Sequence, residues 1–147
     1  MLKPLEEFIC DVCGGVIEDL EKGILNADSN ETMQYHNFSI VHQGKCDSRA
    51  KHVSFHLNSV VGPNSIGTLI NLIHSGPVAD PKGTGEIEIA DHVEFAEIMR
   101  RLQVPYYDEA RQYFMAAAHD GYLDGNSEGI AHARSLKNVI EMYESKE

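Results

Sequence analysis

Tryptophan is missing from this chain of 147 residues, whose aromatics are five phenylalanines and six tyrosines. Cysteine is scarce, with only three in all. An odd count argues against a disulfide framework and for thiols used as metal ligands in a reducing compartment. The opening stretch MLKPLEEF is mixed and acidic, unlike the apolar core of a secretory signal. No apolar run approaches the ~20 residues of a membrane helix. These absences lead us to expect a soluble, cytoplasmic protein with no membrane partner. Basic charge is also in short supply. Twelve Lys and Arg face 23 Asp and Glu, for a net charge of −11. Residues 1–50 hold four basic residues (Lys3, Lys22, Lys45, Arg49) against nine acidic ones, and the remainder hold eight against fourteen. Neither half carries the positive footprint that drives phosphate-backbone binding, so a nucleic-acid partner is disfavoured.

Hydrophobic residues make up 42% of the chain. That is enough for a packed core, and the length suits one domain or a small module plus a larger one. The three cysteines are the strongest chemical signal. Cys10-Asp11-Val12-Cys13-Gly14-Gly15 is a C-x2-C-G-G turn, and His42-Gln43-Gly44-Lys45-Cys46 places an H-x3-C pair about thirty residues later. Two short-range pairs of thiol and imidazole ligands suit a tetrahedral Zn2+, with Zn–S near ~2.3 Å and Zn–N near ~2.0 Å. The candidate metal ligands are therefore Cys10, Cys13, His42 and Cys46. In a strand over Tyr35–His42, residues Phe38, Ile40 and His42 share a face by parity. His36 has the same parity, so parity leaves His36 open as an alternative fourth ligand. The four-residue spacing to Cys46 favours His42.

These residues resemble the knuckle and second half-site of zinc-ribbon and treble-clef zinc-binding domains over residues 8–50. The resemblance implies a structural metal holding a small β-rich unit that is too short to build its own core. The second half-site departs from the usual pattern, being H-x3-C in place of a second C-x2-C.

Local patterning fills in the rest. Phe8-Ile9-Cys10 reads as an extended lead-in, Val16-Ile17 as a strand, and Glu18–Asn30, with Gly23, Asn26, Asp28 and Asn30, as a loop or short hairpin. Past Arg49 the chain reads as helices. Val53, Leu57, Val60 and Val61 form a rough helical stripe; Ile66, Leu69, Ile70 and Ile73 repeat at i, i+3, i+4, i+7 and stop at Gly76-Pro77. Residues 76–90 read as a linker with a short strand at 86–89. Asp91-His92-Val93-Glu94 is a capping box for a helix burying Phe95, Ile98, Met99 and Leu102. Pro105 suits the first turn of a further helix lined by Tyr107, Ala110 and Phe114 and stopped by Gly121. A last helix from about Ser127 buries Ile130, Ala133, Leu136 or the stem of Lys137, Ile140 and Tyr143. The expected fold is α+β: a zinc-stabilised β-rich module over residues 1–50, followed by a helical domain over residues 51–147.

Other constellations in the chain carry weaker signals. His52 and His56, at i, i+4 on a helix, could hold a second metal with a third ligand such as His36 or His74, but two partly exposed histidines on a polar helix face are the favoured reading. The loop Gly76–Gly85 has the residues of a phosphate loop in the wrong order, since Lys82 precedes Gly83. His92-Val93-Glu94 follows the cysteines, where a zinc deaminase has its H-x-E before them. Segment 95–119 has the outline of a DNA-reading helix-turn-helix, but Asp108 and Glu109 would face phosphates. An open zinc site, with Glu6, Glu7 or Asp47 as acid or base, would make a hydrolase. With His42 bound, all four positions are filled. The expectation is a non-enzymatic zinc protein with no catalytic residues, whose helical part binds another protein or forms a homodimer; a DNA-binding regulator and a zinc hydrolase are the alternatives.

Overall fold

A computed structural model describes residues 1–47, 53–85, 87–123 and 127–146. Its N-terminal part is β-rich. Strands β1 (Phe8–Ile9) and β2 (Val16–Ile17) form an antiparallel hairpin around the C-x2-C turn. A second sheet follows, of β3 (Gly23–Ser29), β4 (Tyr35–His42) and β5 (Val53–His56), in the order β4-β3-β5 and antiparallel throughout. The α+β class is as the patterning predicts, and so are the strands at 8–9, 16–17 and 35–42.

Two local expectations fail here. The segment 18–30 is not a loop: it contains the central strand of the sheet, with five of the first residues of β3 buried in succession. A strand covered on both faces shows no alternation, and turn-forming Asn26 and Asp28 disguise it. Asn26 is buried, accepting the Ser39 hydroxyl. The stripe at 53–61 is likewise not a helix. Val53–His56 pairs with β3, Leu25 standing opposite Phe55, and Leu57–Ser59 is a single 3-10 turn. The sheet therefore draws strands from both sides of residue 50. Gly23 fits where these pieces converge: a Cβ there would lie 2.4 Å from Leu57 and 2.9 Å from Ile17, both fully buried.

The helices are α1 (Ile66–Ile73), α2 (His92–Gln103), α3 (Tyr107–Ala110), α4 (Phe114–His119) and α5 (Ala133–Glu144). Asp91 caps α2 as expected, accepting the amides of Val93 and Glu94. Glu94 does not complete the box. It reaches across to the Phe38 amide at 2.8 Å and ties α2 to β4. The helix expected from Pro105 to His119 is broken: Tyr106 takes φ +71°, α3 lasts four residues, and a 3-10 turn over 111–113 precedes α4. Gly121, at φ +81°, ends it. In the 76–90 linker the expected strand reduces to a bridge between Ile89 and Tyr35, Glu86 lying outside the described residues. The main core joins Phe8, Ile17, Leu25 and Ile40 to Leu57, Leu69, Phe95 and Leu102. A second cluster packs Tyr107 and Ala110 of α3 on Leu136 and Ile140 of α5. No helix among the described residues is long and apolar enough to cross a membrane.

Candidate metal centre

The knuckle is built by its glycines. Gly14 takes φ +72°, which costs a glycine nothing. Its amide donates to the Cys10 carbonyl at 3.0 Å, while the Cys10 amide donates to Gly15 at 2.9 Å. The Gly15 amide then points at the Cys13 sulfur, 3.4 Å away. The second half-site begins at the end of β4. His42 is its last residue, Gly44 turns the chain at φ +78°, and the Cys46 amide returns to the His42 carbonyl at 3.2 Å.

Asp11 brings the two halves together. Its amide donates to Ile40 at 2.8 Å and its carboxylate accepts the Ile40 amide at 2.8 Å. The residue between the first two cysteines is thereby pinned to β4 two residues before His42.

The result is a compact ligand set. One ligand atom from each of Cys10, Cys13, His42 and Cys46 lies within 4.8 Å of every other, Cys10 being buried and Cys13 exposed. The imidazole orientation follows from its surroundings. His42 Nε2 lies 3.0 Å from the Val16 carbonyl, which can only accept, so Nε2 carries the proton. Nδ1 is then a bare lone pair, facing Cys13 Sγ at 3.5 Å and Cys46 Sγ at 3.7 Å. Arms of ~2.0 and ~2.3 Å at a tetrahedral angle would set a nitrogen and a sulfur ~3.5 Å apart. The two nitrogen–sulfur separations are compatible with that spacing.

Ionisation reflects the same crowding. Burial works against a thiolate at Cys10, but the peptide groups of Cys13, His42 and Val12 and the His42 ring outweigh it and bring the thiol down to about 6. Burial, followed by the neighbouring Cys10 and Cys13 sulfurs, pushes Cys46 up to about 11. Three sulfurs in one small volume resist sharing negative charge, and a divalent cation is the natural remedy. The residues fit Zn2+.

His36 is not in the cluster. Between Asn26–Ser39 and Asp28–His36 the β3–β4 register slips by one residue, with Asn37 at φ +53°. This bulge puts His36 out of step with the stretch 38–42, so the shared parity counted along the sequence is lost in the sheet. His56 lies on β5, away from the cluster, and His52 falls outside the described residues. Glu6, Glu7 and Asp47 are not among the four clustered side chains; Glu7 accepts the Lys3 amide.

A buried charge network behind the centre was not anticipated. Arg101 of α2, 3% exposed, donates Nη1 to both oxygens of Asp11 at 3.0 and 2.9 Å, Nη2 to the Ile9 carbonyl at 3.2 Å, and Nε to Asp108. Asp108 also accepts the Ile9 amide at 2.7 Å. Burial opposes the guanidinium charge, yet the Asp108 and Asp11 carboxylates hold its pKa above the usual value. The signal was available: Arg101 is in phase with Phe95, Ile98 and Leu102, and a charge on an apolar stripe demands a buried partner. Asp108 and Glu109, proposed for a base-reading helix, are buried, and Glu109 receives the Leu2 amide at 2.7 Å. Neither is available to a DNA groove.

Scans against protein-family models, curated proteins and solved structures find no match to the chain.

Proposed function

We propose that Cys10, Cys13, His42 and Cys46 hold one Zn2+ as a closed structural centre of the zinc-ribbon or treble-clef kind, and that the protein acts by binding another protein or a second copy of itself, without catalysis. The observation that carries this is the placement of His42 Nδ1 at tetrahedral distances from two thiol sulfurs, with its other nitrogen already spent on Val16. Three thiolates and an imidazole complete the coordination, leaving no position for a reacting water. Fixing the tautomer through a backbone carbonyl is the usual outer support of a metal-bound histidine. The metal would join the knuckle to the end of β4, much as a disulfide would in an oxidising compartment.

The test is metal content per chain on protein purified without added metal, beside Cys46→Ala. One zinc per chain, lost in the variant together with folded signal, supports the structural centre. Zinc retained at full occupancy in Cys46→Ala would mean an open position and favour hydrolysis, and a chain free of metal would overturn the reading. Sedimentation of the zinc-loaded protein decides between monomer and homodimer.

A further inference from the structure

Helix α1 is apolar over more of its circumference than the core can use. Leu69 and Leu72 are buried, whereas Ile66, Ile70 and Ile73, at i, i+4 and i+7, remain 37%, 49% and 38% exposed. This outer stripe does not end at the helix. Ile73 also lines a hollow of about 160 Å3 together with Ile87, Ile89, Phe95 and Met99, and Ile87 is itself 43% exposed. Three elements thus share one shallow apolar groove: α1, the segment at 87–89 and the outer side of α2.

Its size and its rim indicate what would fill it. The four half-exposed isoleucines leave on the order of 200 Å2 of apolar side chain free. A stable two-subunit interface needs ~800 Å2 per partner, so the groove suits one anchoring element better than a broad dimer face. Two exposed acids are interleaved with the lining: Glu88 stands between Ile87 and Ile89, and Asp91 precedes His92, which itself lines the hollow. The nearby cation, Arg100, faces Glu97 at 3.6 Å. A second copy of this chain, at net charge −11, would bring more acid to an acidic rim. We propose that the groove docks a short amphipathic helix of another protein, with apolar side chains at i, i+3 or i+4 and i+7 and lysine or arginine at its flanks. The proposal rests on the reading of the protein as a binding module.

The experiment uses the full zinc-loaded chain and two synthetic 14-residue helical peptides with one leucine stripe, flanked by lysines in one and glutamates in the other. Binding is read by fluorescence anisotropy against wild type and against Ile70→Gln/Ile73→Gln, which removes the stripe without changing the charge. Zinc content and far-UV circular dichroism are recorded on every sample. The lysine peptide should bind wild type at least about tenfold tighter than the glutamate peptide and at least about tenfold tighter than it binds the variant. Its affinity should fall as salt rises. Equal affinity for wild type and variant would show attraction by bulk charge alone and overturn the proposal. So would a wild-type dimer that becomes monomeric in Ile70→Gln/Ile73→Gln, since the occupant would then be a second copy. Zinc-loaded, folded protein that binds neither peptide defeats the groove and leaves the metal centre standing. Loss of zinc would instead defeat the reading beneath it.

Discussion

Replacing Arg101 with methionine removes the charge that joins the knuckle to the helices while keeping most of the buried stem. Two carboxylates then lose their partner, to different degrees. The Asp108 side chain is 7% exposed and keeps one donor, the Ile9 amide. The Asp11 side chain is 28% exposed, so water can replace the guanidinium and its share falls to the ~0–1 kcal/mol of a solvated pair. Breaking a buried pair from one side costs about 3–5 kcal/mol, because the remaining charge stays behind without compensation. We expect a loss of that size, dominated by Asp108. For a chain of this length it corresponds to a Tm lowered by about 6–20 °C. The assay is thermal and urea unfolding of zinc-loaded protein, with Asp108→Asn and the double variant Arg101→Met/Asp108→Asn alongside. The double variant should recover stability relative to Arg101→Met, since the stranded charge is gone. Zinc should also leave faster to a chelator, with affinity about 10–100-fold weaker, as for supporting contacts around other metal sites. An Arg101→Met protein within about 0.5 kcal/mol of wild type would refute the reasoning, as would a double variant whose loss is the simple sum of the two singles.

Gly23→Ala should cost about 1–3 kcal/mol in urea unfolding, because the added methyl meets Leu57 and Ile17 inside the core; an unchanged midpoint would show that Leu57 moves aside freely. His42→Ala should lose zinc while His36→Ala keeps one per chain, read by elemental analysis, and the opposite pattern would place His36 in the site. Burial, then the bond to Asp120, pushes Tyr143 up to about 12, and burial with the Glu97 contact raises Tyr107 further. A raised phenol favours the folded state below the unfolded pKa of ~10, and that contribution disappears as pH climbs through the folded value. An ultraviolet titration should therefore contain a late-ionising component that disappears in Tyr107→Phe/Tyr143→Phe, and a curve unchanged in that variant would contradict this.

The clustering of Cys10, Cys13, His42 and Cys46 was legible because spacing alone carries it. Two ligand pairs, each within one turn, need no tertiary information, and the glycines at 14 and 44 mark the turns. Helices α1 and α2 were legible for a similar reason: one apolar stripe, bounded by breakers or a cap. Strand β3 was hidden because burial on both faces erases the period of two, and β5 because Val53, Leu57 and Val60 happen to satisfy a helical period. The bulge at Asn37 could not be read from the chain, and it invalidated parity as a way to compare His36 with His42. The Asp11–Arg101–Asp108 network is non-local, joining residues about ninety apart, and only its in-phase arginine left a trace. Glu94 shows a related ambiguity. Its position announces a capping box, yet β4 offers the Phe38 amide, and the tertiary contact takes precedence.

The buried arginine also has a consequence in time. Ribosomal synthesis runs from Cys10 to Cys46 first, so all four clustered side chains are made before residue 47. Arg101 and Asp108 follow 55 and 62 residues after Cys46. At ~5–20 residues per second the nascent knuckle waits about 3–12 s for its brace. During that interval the thiols exist without the helix whose Arg101 holds Asp11 in the folded chain. Any metal captured then would be held by the cluster alone, and the arrival of α2 and α3 would brace it through Arg101.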